Sequence, residues 1–339
     1  MTSTIKVKGS NKVFTCREQD TLLRAAIREG IKIPYECNSG GCGSCTFDLI
    51  EGEVESLWDS PPGLSPRDIR KGKLLACQCK PKGNCEIDFR LDDWKSPQYP
   101  PQRFSATYIS RCDLTEDMAE FCFQSESMAQ FMSGQFAMLT LPGVTGDRAY
   151  SMSNVSNSDG YWQFIVKKMP GGAGSTYLFD EIKVGDVIEI DGPFGLAYLD
   201  PAIHRDVVCI GGGSGLSPIM SIARAVAAND DFSDQKLKMF YGGRGPKDIC
   251  TPELLSAIDP NGTKITCYNA TSDPDLSAKH GWDGDVCFVH ELVKNILGDS
   301  LPEYEFYFCG PPPMTEAVQR MLMIEYKVPF EQIHFDRFF

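Results

Sequence analysis

Four cysteines at a fixed spacing constrain this chain more than any other feature of its sequence. Cys37, Cys42 and Cys45 follow the pattern C-x4-C-x2-C, and Cys77 lies further along in Leu-Leu-Ala-Cys-Gln-Cys. This spacing is typical of a [2Fe–2S] cluster, in which two irons bind four thiolates. The loop also contains three glycines, which permit a tight wrap with backbone N–H groups directed at the sulfurs. The sequence therefore predicts single-electron transfer through a cluster bound by these four cysteines.

The other ten of the fourteen cysteines lack this spacing. Cys79 and Cys85 lie close to Cys77, but the order Leu-Ala-Cys-Gln selects Cys77, so we predict that neither is a ligand. The N-terminus has no signal-peptide pattern, and no apolar run approaches the roughly 18 residues that a membrane span needs. A long chain without a secretion signal favours reduced thiols over a disulfide scaffold. We therefore expect a cytoplasmic protein with no membrane partner.

The net charge of −13 disfavours nucleic acid or an anionic membrane as a partner. Residues 1–95 carry fifteen basic and fourteen acidic side chains, so the remaining residues carry a net charge of −14. Six basic residues surround Cys77 in the sequence: Arg67, Arg70, Lys71, Lys73, Lys80 and Lys82. Such a run is typical of a solvated face, and it also suits a docking patch for an acidic redox partner. The sequence leaves both interpretations open.

The N-terminal region has the pattern of a small mixed domain. Residues 4–14 alternate like a hairpin, residues 21–30 place apolar side chains on one helical face, and residues 46–50 alternate again. With the cysteine loop, this order predicts a β-grasp, plant-type ferredoxin domain over residues 1–95. The Pro- and Gln-containing stretch 96–102 is a linker by composition.

The rest of the chain changes pattern near residue 204. Before it, six short runs separated by turn residues predict an antiparallel six-stranded β-barrel over residues 101–200. These runs cover residues 103–112, 119–125, 135–141, 148–153, 161–169 and 187–191. From residue 204 to residue 339, buried strands alternate with helices, which predicts a parallel α/β domain.

Two motifs in the barrel region favour flavin binding. Residues 148–151 read Arg-Ala-Tyr-Ser: the arginine can bind pyrophosphate, the tyrosine can pack on the flavin, and the serine can reach the flavin N5. A glycine-rich turn follows, and its backbone N–H groups can bind phosphate. Each motif alone also fits an ordinary strand edge or hairpin turn, but together they favour flavin. The predicted flavin-binding residues are Arg148, Ala149, Tyr150, Ser151, Ile165, Val166, Lys167, Gly172, Ala173, Gly174 and Ser175.

Two further segments have the context of a nucleotide site at the ends of parallel strands. Residues 210–218 (Ile-Gly-Gly-Gly-Ser-Gly-Leu-Ser-Pro) join a strand to a helix, as in a pyrophosphate site, although the register is not G-x-G-x-x-G. Cys309 also ends a strand, either as a buried thiol or as a group beside the nucleotide. The predicted nucleotide-binding residues are Gly212, Gly213, Ser214, Gly215, Cys309, Gly310 and Pro311. We predict that Ser151 and Cys309 are catalytic.

These motifs occur in one order, and together they carry a resemblance to a known family. The chain resembles ferredoxin–NAD reductases of the flavin-dependent superfamily, and more narrowly the reductase components of bacterial aromatic-ring oxygenases. The resemblance rests on residues 34–43, 75–81, 148–152, 209–213, 301–305 and 328–339. It implies FAD in the barrel, NADH in the C-terminal domain, and a terminal aromatic residue, Phe338 or Phe339, that covers the flavin. It also implies that Cys309 lies near the nicotinamide, while Arg244 leaves NADPH open.

The resemblance implies a reductase that passes electrons from NADH to FAD, to the cluster, and then to an acceptor protein. A flavin is required because NADH gives electrons in pairs and a cluster accepts them singly. The implied acceptor is a Rieske-type ferredoxin or the terminal component of an aromatic-hydroxylating system, either a Rieske dioxygenase or a diiron monooxygenase. Two alternatives remain, namely a reductase for sugar-nucleotide deoxygenation and a redox module without enzymatic activity.

Overall fold

The computed structural model describes residues 2–91 and 98–337, and the contacts within it divide the chain into two units. Unit 1 contains the residues up to Arg103 together with Asp191–Gly195, and unit 2 contains the remainder of the described chain. The limits of the three predicted domains are not tested by this division and stay a prediction.

Unit 1 is built on a mixed five-stranded sheet. Its strands and helices are β1 (Thr2–Val7), β2 (Val13–Arg17), α1 (Leu22–Arg28), β3 (Thr46–Glu51), β4 (Val54–Ser56), α2 (Pro66–Arg70), β5 (Leu74–Leu75), β6 (Cys79–Pro81) and β7 (Cys85–Asp88). The order in the sheet is β2-β1-β7-β3-β5, with β1 antiparallel to β2 and parallel to β7. Alternate residues of β1, such as Ile5, and apolar residues of α1, such as Leu23, are fully buried. The two-residue period of the strand and the helical period of α1 therefore both place apolar side chains in the interior. The predicted β-grasp fold is confirmed.

A buried cluster of charged side chains lies within unit 1. Asp191 is 2% exposed, and its carboxylate accepts from Arg28 Nη2 at 2.7 Å and from Arg103 Nη2 at 3.3 Å. Arg24 Nη1 lies 3.5 Å from the same carboxylate, and Asp20 lies 3.1 Å from Arg28 Nη2. Burial alone lowers the pKa of Arg28, but the charges and hydrogen bonds of the two aspartates raise it above its ordinary value. The cluster therefore keeps Arg28 charged inside the protein.

Six strands of the middle region form an antiparallel sheet that nearly closes into a barrel. The strands, with one short helix, are β8 (Gln102–Asp113), β9 (Met118–Ser125), β10 (Phe136–Thr140), β11 (Arg148–Ser151), β12 (Tyr161–Lys167), α3 (Ala173–Thr176) and β13 (Val187–Phe194). The order is β11-β10-β13-β8-β9-β12, and a bridge between Met152 and Phe164 joins its two ends. Phe121, Phe123 and Trp162 are buried in the core of this sheet. The predicted barrel is confirmed.

The C-terminal part of unit 2 is a parallel sheet with apolar cores on both faces. Its elements are β14 (Val207–Gly212), α4 (Leu216–Ala228), β15 (Leu237–Gly243), α5 (Thr251–Ile258), β16 (Ile265–Thr271), α6 (Pro274–Lys279), β17 (Asp285–Val286), α7 (Val289–Leu297), β18 (Glu305–Gly310), α8 (Pro312–Arg320) and β19 (Ile333–Arg337). The order is β17-β16-β15-β14-β18-β19. Cys209 packs in one core and its neighbour Val208 in the other, as expected of a strand covered on both faces. The predicted α/β fold is confirmed.

The sequence pattern does not predict β19, which pairs in parallel with β18 and forms the edge of this sheet. Beyond α8, the chain continues in a wider helical turn over Met321–Glu325. Within residues 2–91 and 98–337, each helix is too short or too polar to cross a lipid bilayer.

Replacing Asp191 with asparagine should destabilise the protein, because three arginines lose a buried counter-charge. We expect the free energy of unfolding to fall by about 3 kcal/mol, measured by urea denaturation followed by circular dichroism. Asp113→Asn is the matched control, because Asp113 is exposed and pairs with Arg111 at the surface, where such pairs contribute about 0–1 kcal/mol. Equal losses for the two variants would show that the cluster does not stabilise unit 1.

Candidate functional site

The four predicted cluster ligands come together in unit 1 as two pairs. Cys37 and Cys42 lie in the loop before β3, and their Sγ atoms are 3.3 Å apart. Cys45 and Cys77 are both buried, and their thiols interact with each other. The Ala76 N–H donates to the Cys45 carbonyl at 3.0 Å, which holds the segment of Cys77 beside the cysteine loop.

Backbone groups surround the first pair of thiols. The N–H groups of Ser39 and Cys42 donate to Cys37 Sγ, both at 3.4 Å. The hydrogen bond between the two thiols lowers the pKa of Cys37, and the N–H donors act in the same direction. The loop can follow this path because Gly43 adopts φ +82°, and a Cβ there would lie 2.4 Å from the Gly63 carbonyl oxygen. The glycine-rich sequence thus places donors around a sulfur, as predicted.

Four sulfur donors in two pairs fit a cluster of two irons, because each iron can then receive two thiolates. Within the part of the chain that the structure describes, no three His, Cys, Asp or Glu side chains converge to hold a single metal ion. Cys85 Sγ donates instead to the carbonyls of Glu53 and Gly83 at 3.4 Å. Cys79 is also buried, and burial raises the pKa of its thiol to about 12. The ligand set, without Cys79 and Cys85, stays a prediction that this geometry supports.

The Ser151 hydroxyl is an unsatisfied polar group at the end of β11. Ser151 is 4% exposed, and its Oγ has no hydrogen-bond partner among the described residues. An unpaired buried hydroxyl costs free energy, so such a group usually has a functional explanation. Beside it in the sequence, burial raises the pKa of Tyr150 to about 12, so this phenol stays protonated and can donate a hydrogen bond. These two groups fit the flavin that the sequence predicts here.

The glycine-rich turn before α3 packs against the same strand. A Cβ on Gly174 would lie 2.9 Å from Arg148 Cγ, so the close approach of the turn to β11 depends on glycine. Ser175 Oγ accepts from the Met169 N–H at 3.0 Å and donates to the Gly172 carbonyl at 3.1 Å. The Ser175 hydroxyl therefore stabilises the turn. The donors that the turn can offer to a phosphate are its backbone N–H groups.

The remaining predicted flavin contacts are restricted by other interactions. Ile165 and Val166 are almost fully buried in apolar cores, so only their backbone is available to a cofactor. Lys167 Nζ lies 2.9 Å from Asp117 and 3.8 Å from Asp248, and these carboxylates offset its charge. The predicted flavin covers, Phe338 and Phe339, lie outside the described residues, as do residues 92–97.

The ends of β14 and β18, with the loops that follow them, form the predicted nucleotide site. A Cβ on Gly215 would lie 2.0 Å from the Cys309 carbonyl oxygen, and one on Gly310 would lie 3.1 Å from the Gly212 carbonyl oxygen. The two loops touch at these positions because glycine has no side chain. Between them, Gly213 adopts φ +56°. Parallel α/β sheets bind their ligands at this end of their strands.

Cys309 is 3% exposed and is the second-last residue of β18, just before the loop. Burial, with a smaller contribution from the Asp336 carboxylate, raises the pKa of its thiol well above the ordinary value. The side chain is therefore a neutral thiol at physiological pH and not a reactive thiolate. Its position beside the nicotinamide stays a prediction.

Two serines of α4 bind the segment that carries Ser151, and no motif in the sequence predicts this contact. The Ser217 hydroxyl donates to the Ser151 carbonyl at 2.6 Å and accepts from the Ile165 N–H at 3.0 Å. One helical turn later, the Ser221 hydroxyl donates to the Asn154 carbonyl at 2.6 Å. Residues four apart share a helical face. The helix behind the glycine-rich loop is thereby hydrogen-bonded to the predicted flavin strand.

A charged pair extends this contact along the same helix. Arg224 Nη1 donates to the Ser153 carbonyl and to Glu120 Oε1, both at 2.8 Å. The Ser153 hydroxyl donates to the same Glu120 oxygen at 2.6 Å. Both charged side chains are mostly buried, so their mutual pairing is needed. The barrel and the parallel sheet are therefore linked by directional bonds as well as by apolar packing.

Comparison with known protein families finds three domains that match along the chain. Residues 5–82 match the family model of the 2Fe-2S iron-sulfur cluster binding domain. Residues 105–198 match the oxidoreductase FAD-binding domain, and residues 209–320 match the oxidoreductase NAD-binding domain. The predicted cofactors, a [2Fe–2S] cluster, FAD and NADH, are confirmed at the level of these domains.

Similar proteins match over nearly the whole chain. The ferredoxin–NAD(P)+ reductase CarAd of Metapseudomonas resinovorans is 40% identical, over 99% of each chain. The ferredoxin–NAD+ reductase component of the alkene monooxygenase system of Xanthobacter autotrophicus is 35% identical, over 97% of this chain and 99% of that protein. Among solved structures, the ferredoxin reductase in carbazole 1,9a-dioxygenase superposes with a TM-score of 0.90 at 37% identity, over 100% of this chain and 99% of that one.

Replacing Ser151 with alanine should slow hydride uptake without destabilising the fold. We expect kcat for NADH oxidation by ferricyanide to fall about 100-fold, as for loss of one hydrogen-bond donor at a reacting centre. The thermal midpoint should change little, because the Ser151 Oγ has no partner within the described residues. An unchanged kcat in a variant that retains its flavin would show that this hydroxyl does not meet the reacting atoms.

Replacing Ser217 with alanine should both destabilise the fold and slow hydride transfer, because this hydroxyl donates one hydrogen bond and accepts another. The change leaves a buried carbonyl and a buried N–H unpaired, which should lower the free energy of unfolding by about 2 kcal/mol. It should also slow flavin reduction by NADH in stopped-flow measurements, because α4 loses its bond to the flavin strand. Ser256→Ala is the control, since Ser256 is exposed and donates only to the Glu253 carbonyl at 2.8 Å. If Ser217→Ala destabilises the fold but flavin reduction keeps its rate, this bond does not align the two sites.

Proposed function

Because the chain belongs to the ferredoxin–NAD(P)+ reductases that combine [2Fe–2S], FAD-binding and NAD-binding domains, we propose that it supplies electrons from NADH to an aromatic-hydroxylating oxygenase. The protein is an oxidoreductase, and its domains match reductases along their whole length. A redox module without enzymatic activity is therefore not the function of this chain.

When bound, NADH provides a hydride, FAD accepts the electron pair, and the [2Fe–2S] cluster carries one electron at a time. The residues of the chain hold and orient these groups. We propose that the Ser151 hydroxyl donates a hydrogen bond to the flavin N5, and that Arg148 and Gly172–Ser175 bind the flavin pyrophosphate. Gly212–Gly215 would offer backbone N–H groups to the nucleotide, and the neutral thiol of Cys309 would exclude water beside the nicotinamide.

The observation that best supports this proposal is the pairing of four cysteines in a chain that also has FAD- and NAD-binding domains. Hydride transfer between a nicotinamide and a flavin needs no iron. A cluster is useful where the final acceptor takes electrons singly, so its presence indicates that another redox centre receives them. That centre lies on a partner protein in this proposal.

The names of the relatives favour an oxygenase system as the acceptor over sugar-nucleotide deoxygenation. One relative serves an alkene monooxygenase system, and one solved structure is the reductase in carbazole 1,9a-dioxygenase. We propose that this chain serves either a Rieske-type ferredoxin or the hydroxylase itself. Electron transfer to a purified Rieske ferredoxin and to a diiron hydroxylase, assayed side by side, would distinguish the two partner classes.

The loop after β15 supports NADH over NADPH as the electron donor. Arg244, the residue that left NADPH open, has its backbone N–H bonded to Asp248 Oδ2 at 2.9 Å, and the Gly245 N–H donates to the same oxygen at 2.9 Å. The Asp248 carboxylate adds negative charge to this loop, which disfavours a further phosphate there because like charges repel. A reducing, cytoplasmic location is what we expect for a chain rich in thiols.

Replacing Cys42 with serine should separate the two halves of the electron path. We expect reduction of one-electron protein acceptors to fall to background, because one iron loses a thiolate. NADH oxidation by ferricyanide, which takes electrons from the flavin, should continue at the wild-type rate. Cys79→Ala is the matched control, and it should retain the cluster absorbance and both activities. If ferricyanide turnover also vanished while the flavin stayed bound, the proposed order of electron transfer would be wrong.

A further inference from the structure

An exposed tryptophan lies directly against the cysteine loop. Trp58 is 44% exposed and its neighbour Leu57 is 49% exposed, although large apolar side chains are usually covered. A Cβ built on Gly40 would lie 3.2 Å from Trp58 Cε3, so the indole contacts the loop between Cys37 and Cys45. The Leu57 N–H donates to the carbonyl of Gln78, next to Cys77, at 2.8 Å. Apolar surface is thus presented to solvent where the cluster ligands converge.

Basic side chains follow this apolar surface a few residues later in the chain. The chain continues from Trp58 to Gly63, whose N–H donates to the Gly40 carbonyl at 2.9 Å, and α2 begins three residues later. Arg67, Arg70 and Lys71 are exposed there, and within the described residues they form no salt bridge.

Acidic residues of this segment offset part of its positive charge, because Asp59 follows Trp58 and is exposed, and Asp68 lies within α2. Asp68, the single acidic residue of α2, is engaged with Ser65 in the helix cap. Lys73 and Lys82, which the sequence groups with the basic run, pair with Asp48 and Glu53. Arg67, Arg70 and Lys71 outnumber the two acidic residues, so residues 58–71 keep a net charge of +1 that can attract a molecule in solution.

We propose that Leu57, Trp58 and Ile69, with Arg67, Arg70 and Lys71, form the docking surface for an acidic redox protein that takes electrons from the cluster. This inference rests on the proposed function. In the step, one electron leaves the reduced cluster and reduces the acceptor by one electron, and no bond or proton is exchanged. Apolar anchors centred among charged side chains are typical of protein interfaces, and tryptophan and arginine are the side chains that most often dominate their affinity.

The uneven distribution of charge along the chain favours this segment as the place where an acidic partner docks. With a net charge of −13, the protein as a whole repels an acidic partner at long range. Residues 58–71 carry three basic and two acidic side chains, so the sign of the charge is reversed locally. An acidic protein is therefore attracted to the part of the surface that adjoins the cluster, and a basic acceptor gains nothing from it.

The test uses the holoenzyme and an acidic plant-type [2Fe–2S] ferredoxin as the probe. Its dissociation constant is measured by titration calorimetry, and its rate of reduction is measured separately. Wild-type affinity should fall as salt rises, because the screening length shortens from about 30 Å at 0.01 M to about 10 Å at 0.1 M. Trp58→Ala should raise the dissociation constant about tenfold or more, and Trp58→Phe should restore most of the affinity.

Charge reversal gives the second arm of the test. Arg67→Glu/Arg70→Glu should weaken ferredoxin binding and remove its salt dependence. Lys6→Glu/Lys12→Glu, on the hairpin of β1 and β2, makes the same change in net charge and should leave the affinity within about twofold of wild type. The cluster spectrum and ferricyanide activity of each variant should stay at wild-type levels.

Each outcome decides one question. If both double variants lose affinity equally, or if ferredoxin does not bind the wild type at low salt, the docking proposal is overturned. It is also overturned if sedimentation shows a wild-type dimer that Trp58→Ala dissociates, because the patch is then covered by a second copy. Failure of NADH to bleach the wild-type flavin and cluster would instead contradict the proposed function, and the calorimetric result would stand independently of it.

Discussion

One serine hydroxyl joins the two nucleotide-binding halves of unit 2. Ser217 binds the Ser151 carbonyl and the Ile165 N–H at the same time. It lies in the first turn of α4, the helix that follows the glycine-rich loop. Hydride transfer needs the reacting atoms at about 3–3.5 Å, and an error of about 1 Å can cost two orders of magnitude in rate. Apolar packing is non-directional and permits such slippage, whereas these short polar bonds do not. The alignment of donor and acceptor thus depends on a few polar contacts in a mostly apolar interface.

The environment of Cys37, one of the predicted ligands, differs from that of the buried cysteines in the parallel sheet. Cys37 receives backbone N–H donors, which favour a charged sulfur and the binding of metal. Cys209 and Cys309 are buried in apolar surroundings that raise the pKa of each thiol. Such side chains behave as small apolar groups that carry no charge. Backbone donors thus favour Cys37 as a ligand, whereas Cys77 is assigned by its spacing and by its contact with Cys45, because the pKa of its thiol is raised as well.

Local patterns in the sequence predicted the fold and the positions of the motifs, because strand alternation and glycine loops are short-range features. The contacts that align the sites were not predicted. Ser217 and Ser221 are small residues on a helix whose hydrogen-bond partners lie far away in the sequence, and Asp191 meets Arg28 from 163 positions away. The feature of the sequence that could have indicated this contact is a pair of serines at i and i+4 on a mostly apolar helix. Ser175 was expected to hold phosphate, but its hydroxyl is engaged inside the turn.

The uneven charge of the chain acts differently on its two kinds of partner. Residues 96–339 carry a net charge of −14, yet their sites accept anionic dinucleotides. A small ligand in contact with a glycine loop responds to the N–H groups within a few ångströms, and these favour phosphate regardless of the total charge. A protein partner responds to the field summed over roughly a Debye length, which is about 10 Å at 0.1 M salt. The same acidic surface therefore admits the nucleotides and repels an acidic protein. The acidic acceptor that we propose is attracted instead to the segment that contains Arg67 and Arg70 of α2.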